Sequence, residues 1–118
     1  MKTVELYGLK KCSTCLKATA WLDRRHIGYR FIDYRDHPAD PALLRAWADA
    51  LGGWEKLVNR ASMTWRNLPA DRKAPAAPEE WLALIAEFPA LIKRPVAVDA
   101  SGAVNAGFSE KKYEVLFG

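Results

Sequence analysis

No stretch of this 118-residue chain approaches the roughly 20 consecutive apolar residues that a membrane-spanning helix requires. The opening "MKTVELYGLKK" holds an apolar run too short for a secretory signal. These absences lead to the expectation of a soluble protein of the cytosol. Low-complexity tracts and internal repeats are also missing, which excludes a solenoid or a mainly disordered chain. Histidine and cysteine are scarce, with two of each. A structural zinc site takes about four ligands, and His26 and His37 have ligand spacing neither to the cysteines nor to each other. No metal is expected: His26 reads as a helix C-terminal cap or surface residue, and His37, before Pro38, as a loop residue.

The formal charge of +4 lacks a stripe. Lys10 with Lys11, Arg24 with Arg25 and Arg72 with Lys73 are scattered pairs interrupted by acids, whereas a phosphate backbone is matched by clustered cations. Direct nucleic-acid binding is therefore not expected, although the charge remains available to a small anionic ligand.

What the chain does have is the composition of a folded globular protein. Half of its residues are apolar and five are tryptophan, enough for one domain with one core. "TVELYG" alternates apolar and polar residues and stops at Gly8, as a short strand does. "CSTCLKATAWLDRRHIG" places apolar side chains at helical spacing and ends at Gly28, and "YRFIDY" alternates again. Strand, helix, strand implies parallel pairing through a right-handed crossover. A helical block follows. "DPALLRAWADALGG" has Asp40 as N-cap and Pro41 in the first turn, "WEKLVN" is a short helical piece, "RASMTWRNLPADRKAPAAP" reads as irregular, and "PEEWLALIAEFPALI" is helical with acids in its first turn. Val96 to Val98 and Ala103 to Asn105 then flank a Ser101-Gly102 hairpin turn, and "SEKKYEVLFG" closes with a helix capped by Ser109 that buries Tyr113, Leu116 and Phe117. The order predicts an α/β, thioredoxin-like fold. Its mixed sheet carries a helical insertion at about 40–90 between the β-α-β and β-β-α halves.

Both cysteines lie in one Cys-X-X-Cys, "KKCSTC", after the first strand and at the start of the first helix. A reducing compartment makes such a pair catalytic, redox-sensing or metal-binding rather than a structural staple; the remaining alternative is two small core residues. The thiolate is the nucleophile, and a free cysteine with a pKa of about 8.5 is mostly protonated near neutrality. At a helix N-terminus, Cys12 gains the positive end of the dipole and unpaired N–H groups, with Lys10 and Lys11 adding charge. Cys15 lies one turn on, within reach of Cys12, as the natural resolving thiol.

The pieces "LYGLKKCSTCLKATAWL", "LVNRASMTWRNL", "LIKRPVAVD" and "GFSEKKYEVL", in this order and over almost the whole chain, resemble the arsenate reductase (ArsC), Spx and YffB family. The small YffB-type members share the "NR...TWR" and "GFSEKKY" wording. The resemblance implies a thioredoxin-like fold, Cys12 as the nucleophile, and a cis proline at Pro95. It also implies that Arg94 holds an anion or a thiol partner beside the nucleophile; a surface ion pair is the lesser reading, given its place before the proline. Arg60, Trp65 and Arg66 could rim a glutathione groove, with the guanidinium groups on its carboxylates and Trp65 as a flat wall; Trp65 as a core anchor and Arg66 as a surface clamp is the other reading. Lys11 completes the candidate glutathione-binding set. The pattern departs from arsenate reductases, which carry a histidine where Gly8 falls and three anion-binding arginines, of which Arg94 alone has a clear match. Arg60 is the nearest substitute for the first, and Gly107 occupies the place of the third.

The leading expectation is a cytosolic, glutathione-dependent thiol-disulfide oxidoreductase with no bound cofactor, glutathione as co-substrate, and glutathione, glutaredoxin or thioredoxin as electron donor. One alternative is an Spx-like redox-switched regulator that binds RNA polymerase; another is a glutaredoxin-coupled arsenate reductase. A monomer is expected.

Overall fold

The computed structural model describes residues 3–117. The chain divides into two compact units, one from Met1–Pro38 with Arg94–Gly118 and the other from Ala39–Lys93. In chain order the elements are β1 (Val4–Gly8), α1 (Ser13–Arg24), β2 (Tyr29–Asp33), α2 (Pro41–Leu51), α3 (Trp54–Leu57), α4 (Met63–Arg66), α5 (Pro78–Glu87), β3 (Val96–Val98), β4 (Val104–Ala106) and α6 (Glu110–Phe117). Short 3-10 turns occupy Ala70–Arg72 and Pro89–Leu91.

The first unit is a four-stranded mixed sheet in the order β2-β1-β3-β4. β1 pairs parallel with β2, Leu6 opposite Phe31 and Gly8 opposite Asp33. On its other side it pairs antiparallel with β3, which continues antiparallel into β4. The sheet is thus the mixed thioredoxin-like one that the element order predicts. β1 buries Val4, Leu6 and Gly8 in strict alternation, the period-2 pattern of a pleated strand. α1 buries Cys15, Ala18, Trp21 and Leu22, a single helical stripe. Val4, Leu6, Ala18, Trp21 and Leu22 meet Ala97 and Tyr113 in one core, where Tyr113 makes T-shaped contacts with Trp21, Phe108 and Phe117 at centroid distances of 5.6, 4.7 and 5.1 Å.

Two boundaries differ from the sequence expectation. α1 ends at Arg24 rather than running toward Gly28, because His26 takes a left-handed conformation with φ of 57°. His26 N–H then donates to Asp23 O and Ile27 N–H to Leu22 O, the double bond pattern of a Schellman stop. β4 begins one residue late, since Asp99 gathers the Ser101 N–H, the Ser101 hydroxyl and the Ala103 N–H on one carboxylate oxygen and so includes Ala103 in the turn.

The second unit is helical. Asp40 caps α2 by accepting from Leu43 N–H at 2.8 Å, and Gly52 ends the helix in the left-handed region. The run read as irregular contains α4, nucleated by Ser62, whose hydroxyl accepts from Trp65 N–H while donating to Asn59 O at 2.7 Å. Trp81 lies between two other indoles, stacked on Trp54 at 6.3 Å and on Trp65 at 5.9 Å, nearly parallel to both. Trp81→Ala removes the central ring of this stack and is expected to cost about 3–5 kcal/mol, with Trp81→Phe costing less; urea unfolding of the two variants against the parent checks the order.

Candidate active site

The site is built where β1 and β2 end side by side. The register that sets Gly8 against Asp33 brings the loop after β1 under the Asp33 carboxylate. One carboxylate oxygen accepts from Lys10 N–H at 3.0 Å and the other from Arg35 N–H at 2.8 Å. Asp33 is 8% exposed. Burial works against its charge, but these bonds and one from Asp36 N–H outweigh it and hold its carboxyl below the usual carboxylate range. Tyr34 N–H donates to Gly8 O at 3.1 Å, tying the two strand ends directly. The loop then turns through a Cys12 N–H bond to Leu9 O and delivers Cys12 to the N-cap of α1.

Cys12 is half-buried and Cys15 buried, and no disulfide joins them. Burial alone would raise Cys12, yet its pKa is lowered, because the Cys15 N–H, the Cys15 thiol, the Thr14 N–H and the Arg94 guanidinium all favour the anion. No conventional capping bond joins the Cys12 side chain to the helix; the unpaired N–H groups of the first turn act on its sulfur as partial charges. Cys15 behaves oppositely. At 1% exposure its thiol is pushed up to about 12, first by burial and further by the neighbouring Cys12 charge. Its S–H donates to the Cys12 sulfur, and Leu9 N–H points at its own. The pair therefore sets a half-buried thiol whose anion is favoured over a buried thiol whose proton is held.

Room for that second sulfur comes from Gly8. A Cβ at this position would stand 2.5 Å from Cys15 Sγ, closer than any real contact permits, so the strand-ending glycine is also one wall of the Cys15 niche.

Arg94 hydrogen-bonds both Cys12 and Tyr34, and the Arg94–Pro95 peptide is cis. A cleft of about 610 Å³ opens over Cys12, lined on its cationic side by Lys10, Lys11, Arg35 and Arg94 and on its acidic side by Asp33 and Asp36. Lys10 pairs with Asp36 at 2.8 Å, and the Asp33 oxygens are engaged by backbone. Lys11, Arg35 and Arg94 leave the cleft net positive.

A model of the ArsC family matches residues 7–116. The chain belongs to the ArsC family. It is 39% identical over 114 residues to an uncharacterized protein of Haemophilus influenzae, covering 97% of this chain and 98% of that one. The solved structure of a YFFB protein superimposes with a TM-score of 0.86 at 36% identity, covering 98% and 99% of the two chains. The chain is also 27% identical over 111 residues to the global transcriptional regulator Spx of Listeria innocua, across 91% of this chain and 81% of that regulator.

In this ArsC-family chain, Cys12, Cys15, Lys11, Arg94 and Pro95 come together within the sheet unit. Arg60, Trp65 and Arg66 belong to the helical unit. Arg60 lies exposed in the turn before α4, Arg66 is exposed on α4, and Trp65, 8% exposed, spends a ring face on Trp81. Of the two roles open to Trp65 from the sequence, the structure records the packing one. Asp33, Tyr34 and Arg35 were missed by sequence reasoning. Their signal is positional: polar residues at the carboxyl end of a parallel strand next to the loop after β1, where α/β sheets place ligand groups. Among the described residues, no group of three His, Cys, Asp or Glu side chains is placed to hold a metal ion, and no helix is long and apolar enough to cross a membrane.

Two outcomes follow from these charges. In the reduced protein, alkylation of Cys12 by iodoacetamide should show a midpoint below the ordinary value of about 8.5, while Cys15 stays unlabelled at neutral pH; peptide mass mapping across a pH series separates the two. The depressed Asp33 carboxyl contributes stability that is complete above the ordinary carboxylate pKa of about 3.9 and is lost as pH falls through the lower folded-state value. Asp33→Asn should be less stable than the parent at pH 7 and lose less on acidification below pH ~4, read from denaturant midpoints at each pH.

Proposed function

We propose that this protein is a cytosolic thiol-disulfide oxidoreductase that takes glutathione as co-substrate, with Cys12 as nucleophile and Cys15 as resolving thiol. The observation that carries this reading is the opposite treatment of the two thiols, one shifted toward its anion at the mouth of a cationic cleft and the other, buried, shifted toward its protonated form. The Cys12 thiolate attacks one sulfur of oxidised glutathione or of a protein–glutathione disulfide, the S–S bond breaks, and a thiolate leaves, taking up a proton from water. Capping Cys12 removes the negative charge that helps hold the Cys15 proton, so Cys15 ionises more readily only after the first step. Its thiolate then attacks Cys12 Sγ, expels the second thiol and leaves an internal disulfide. Two electrons have passed from the dithiol to the substrate. Two equivalents of glutathione, or a glutaredoxin or thioredoxin dithiol, return them. Lys11, Arg35 and Arg94 give the cleft the charge that suits the two carboxylates of glutathione, and the Arg94 fork can hold a carboxylate through paired bonds.

Similarity to Spx supports a second reading, a redox-switched regulator that binds RNA polymerase, in which the same disulfide is a signal rather than a turnover step. Arsenate reduction is supported less. Arg94 supplies one guanidinium beside Cys12, and Gly107, at the place of the family's third arginine, has no side chain to contribute.

Intact mass after titration with oxidised glutathione near neutral pH tests the proposal. Wild type should lose two hydrogens with no lasting adduct, Cys15→Ser should retain one glutathione, and Cys12→Ser should remain unmodified. A Cys12→Ser protein that still turns over would overturn the assignment. Polymerase capture by one redox state alone, without catalytic turnover, would favour the regulator.

A further inference from the structure

Tyr34, the residue that follows β2, is 1% exposed and is fastened by its N–H to Gly8 O. Its phenol meets Arg94, whose guanidinium also meets Cys12. Arginine donates and cannot accept, so the phenol oxygen takes an Arg94 N–H while other N–H groups face the Cys12 sulfur. We propose that Tyr34 is a positioning residue for the nucleophile: its buried phenol aims the Arg94 guanidinium at Cys12 and so sets how much thiolate the site holds. The inference rests on the reading of Cys12 as a reactive thiolate.

The chemistry of the anchor is what makes it suited to this. A carboxylate in the place of Tyr34 would hold the guanidinium firmly but would also cancel its charge, leaving little field for Cys12. A phenol kept protonated, here pushed up to about 12 chiefly by burial, offers a lone pair and no negative charge. Arg94 is thus oriented without being neutralised. Burial of the tyrosine also gives a long, flexible arginine a fixed partner, which lowers the entropy lost when it engages the sulfur.

The other groups that act on Cys12 are distinct from this pair. From α1 come the Cys15 thiol and the first-turn N–H groups. From the loop after β1 come Lys10, already paired with Asp36, and Lys11. From the end of β2 comes the backbone-bound Asp33, and from just beyond it Arg35. None of them requires the Tyr34 phenol, so its removal should act through Arg94.

The test is the pH profile of Cys12 alkylation in reduced wild type, Tyr34→Phe, Arg94→Ala and the double variant, with thermal unfolding to confirm that each is folded. Tyr34→Phe keeps the ring and loses one oxygen. It should raise the midpoint by about half a unit to one unit, equivalent to roughly three- to tenfold less thiolate below the midpoint. Arg94→Ala should raise it at least as far, and the double variant no further than Arg94→Ala. An unchanged profile in a folded Tyr34→Phe protein overturns the inference, as does a second, additive shift in the double variant. A wild-type midpoint at the ordinary cysteine value would instead sink the thiolate reading on which it rests.

Discussion

The Asp33 carboxylate, seated at the end of a parallel strand and occupied by three backbone N–H groups, is the constraint from which the rest of the site follows. A loop between a strand and a helix has no ladder of its own to hold it. Here the neighbouring strand supplies the missing acceptors, and the loop therefore has a fixed exit point. The N-terminus of α1 starts where that loop ends, so Cys12 inherits its place from a hydrogen bond made two residues earlier. The same backbone bonds favour the charged form of the carboxylate, so the anchor keeps its hold on the loop.

That leaves the electrostatics of the cleft to be decided by depth. Cys12 and Cys15 are the same chemical group three residues apart, and the Arg94 guanidinium does not distinguish them, since it lowers both. What separates them is desolvation. One sulfur keeps contact with water and with the open N–H groups of the first helical turn; the other is folded into the core face of the same helix. An amphipathic helix with a cysteine at its cap and another on its buried stripe thus makes an asymmetric dithiol without any dedicated acid or base.

Much of this was legible before any coordinates. The alternation in "TVELYG", the capping signals around "CSTC" and "DPALL", and the Ser101-Gly102 turn each follow from local rules, and they placed the strands, helices and the cysteine pair correctly. His26 was legible as a helix C-terminal cap, but the end of α1 was placed at Gly28 because a left-handed histidine competes poorly in expectation with a glycine two residues on. α4 was hidden because a single four-residue turn has no periodicity to read. Asp33, Tyr34 and Arg35 were hidden for a different reason: "YRFIDYR" alternates as a strand should, and its functional end is defined by which strand lies next to it, information held in the pairing and not in the segment. Trp65 stood between two roles because an aromatic at helical spacing looks the same whether it faces a ligand or, as here, a second indole.

The Gly8 wall of the Cys15 niche also limits what that sulfur can become. Sulfenic and sulfinic acids add oxygen atoms to sulfur, and the space between Cys15 Sγ and position 8 is too small even for one carbon, so an added oxygen would have to point away from β1. Cys12, half-buried at the mouth of the cleft, is the more accessible of the two sulfurs. A glycine in the first strand thus sets the direction from which the buried sulfur can be approached.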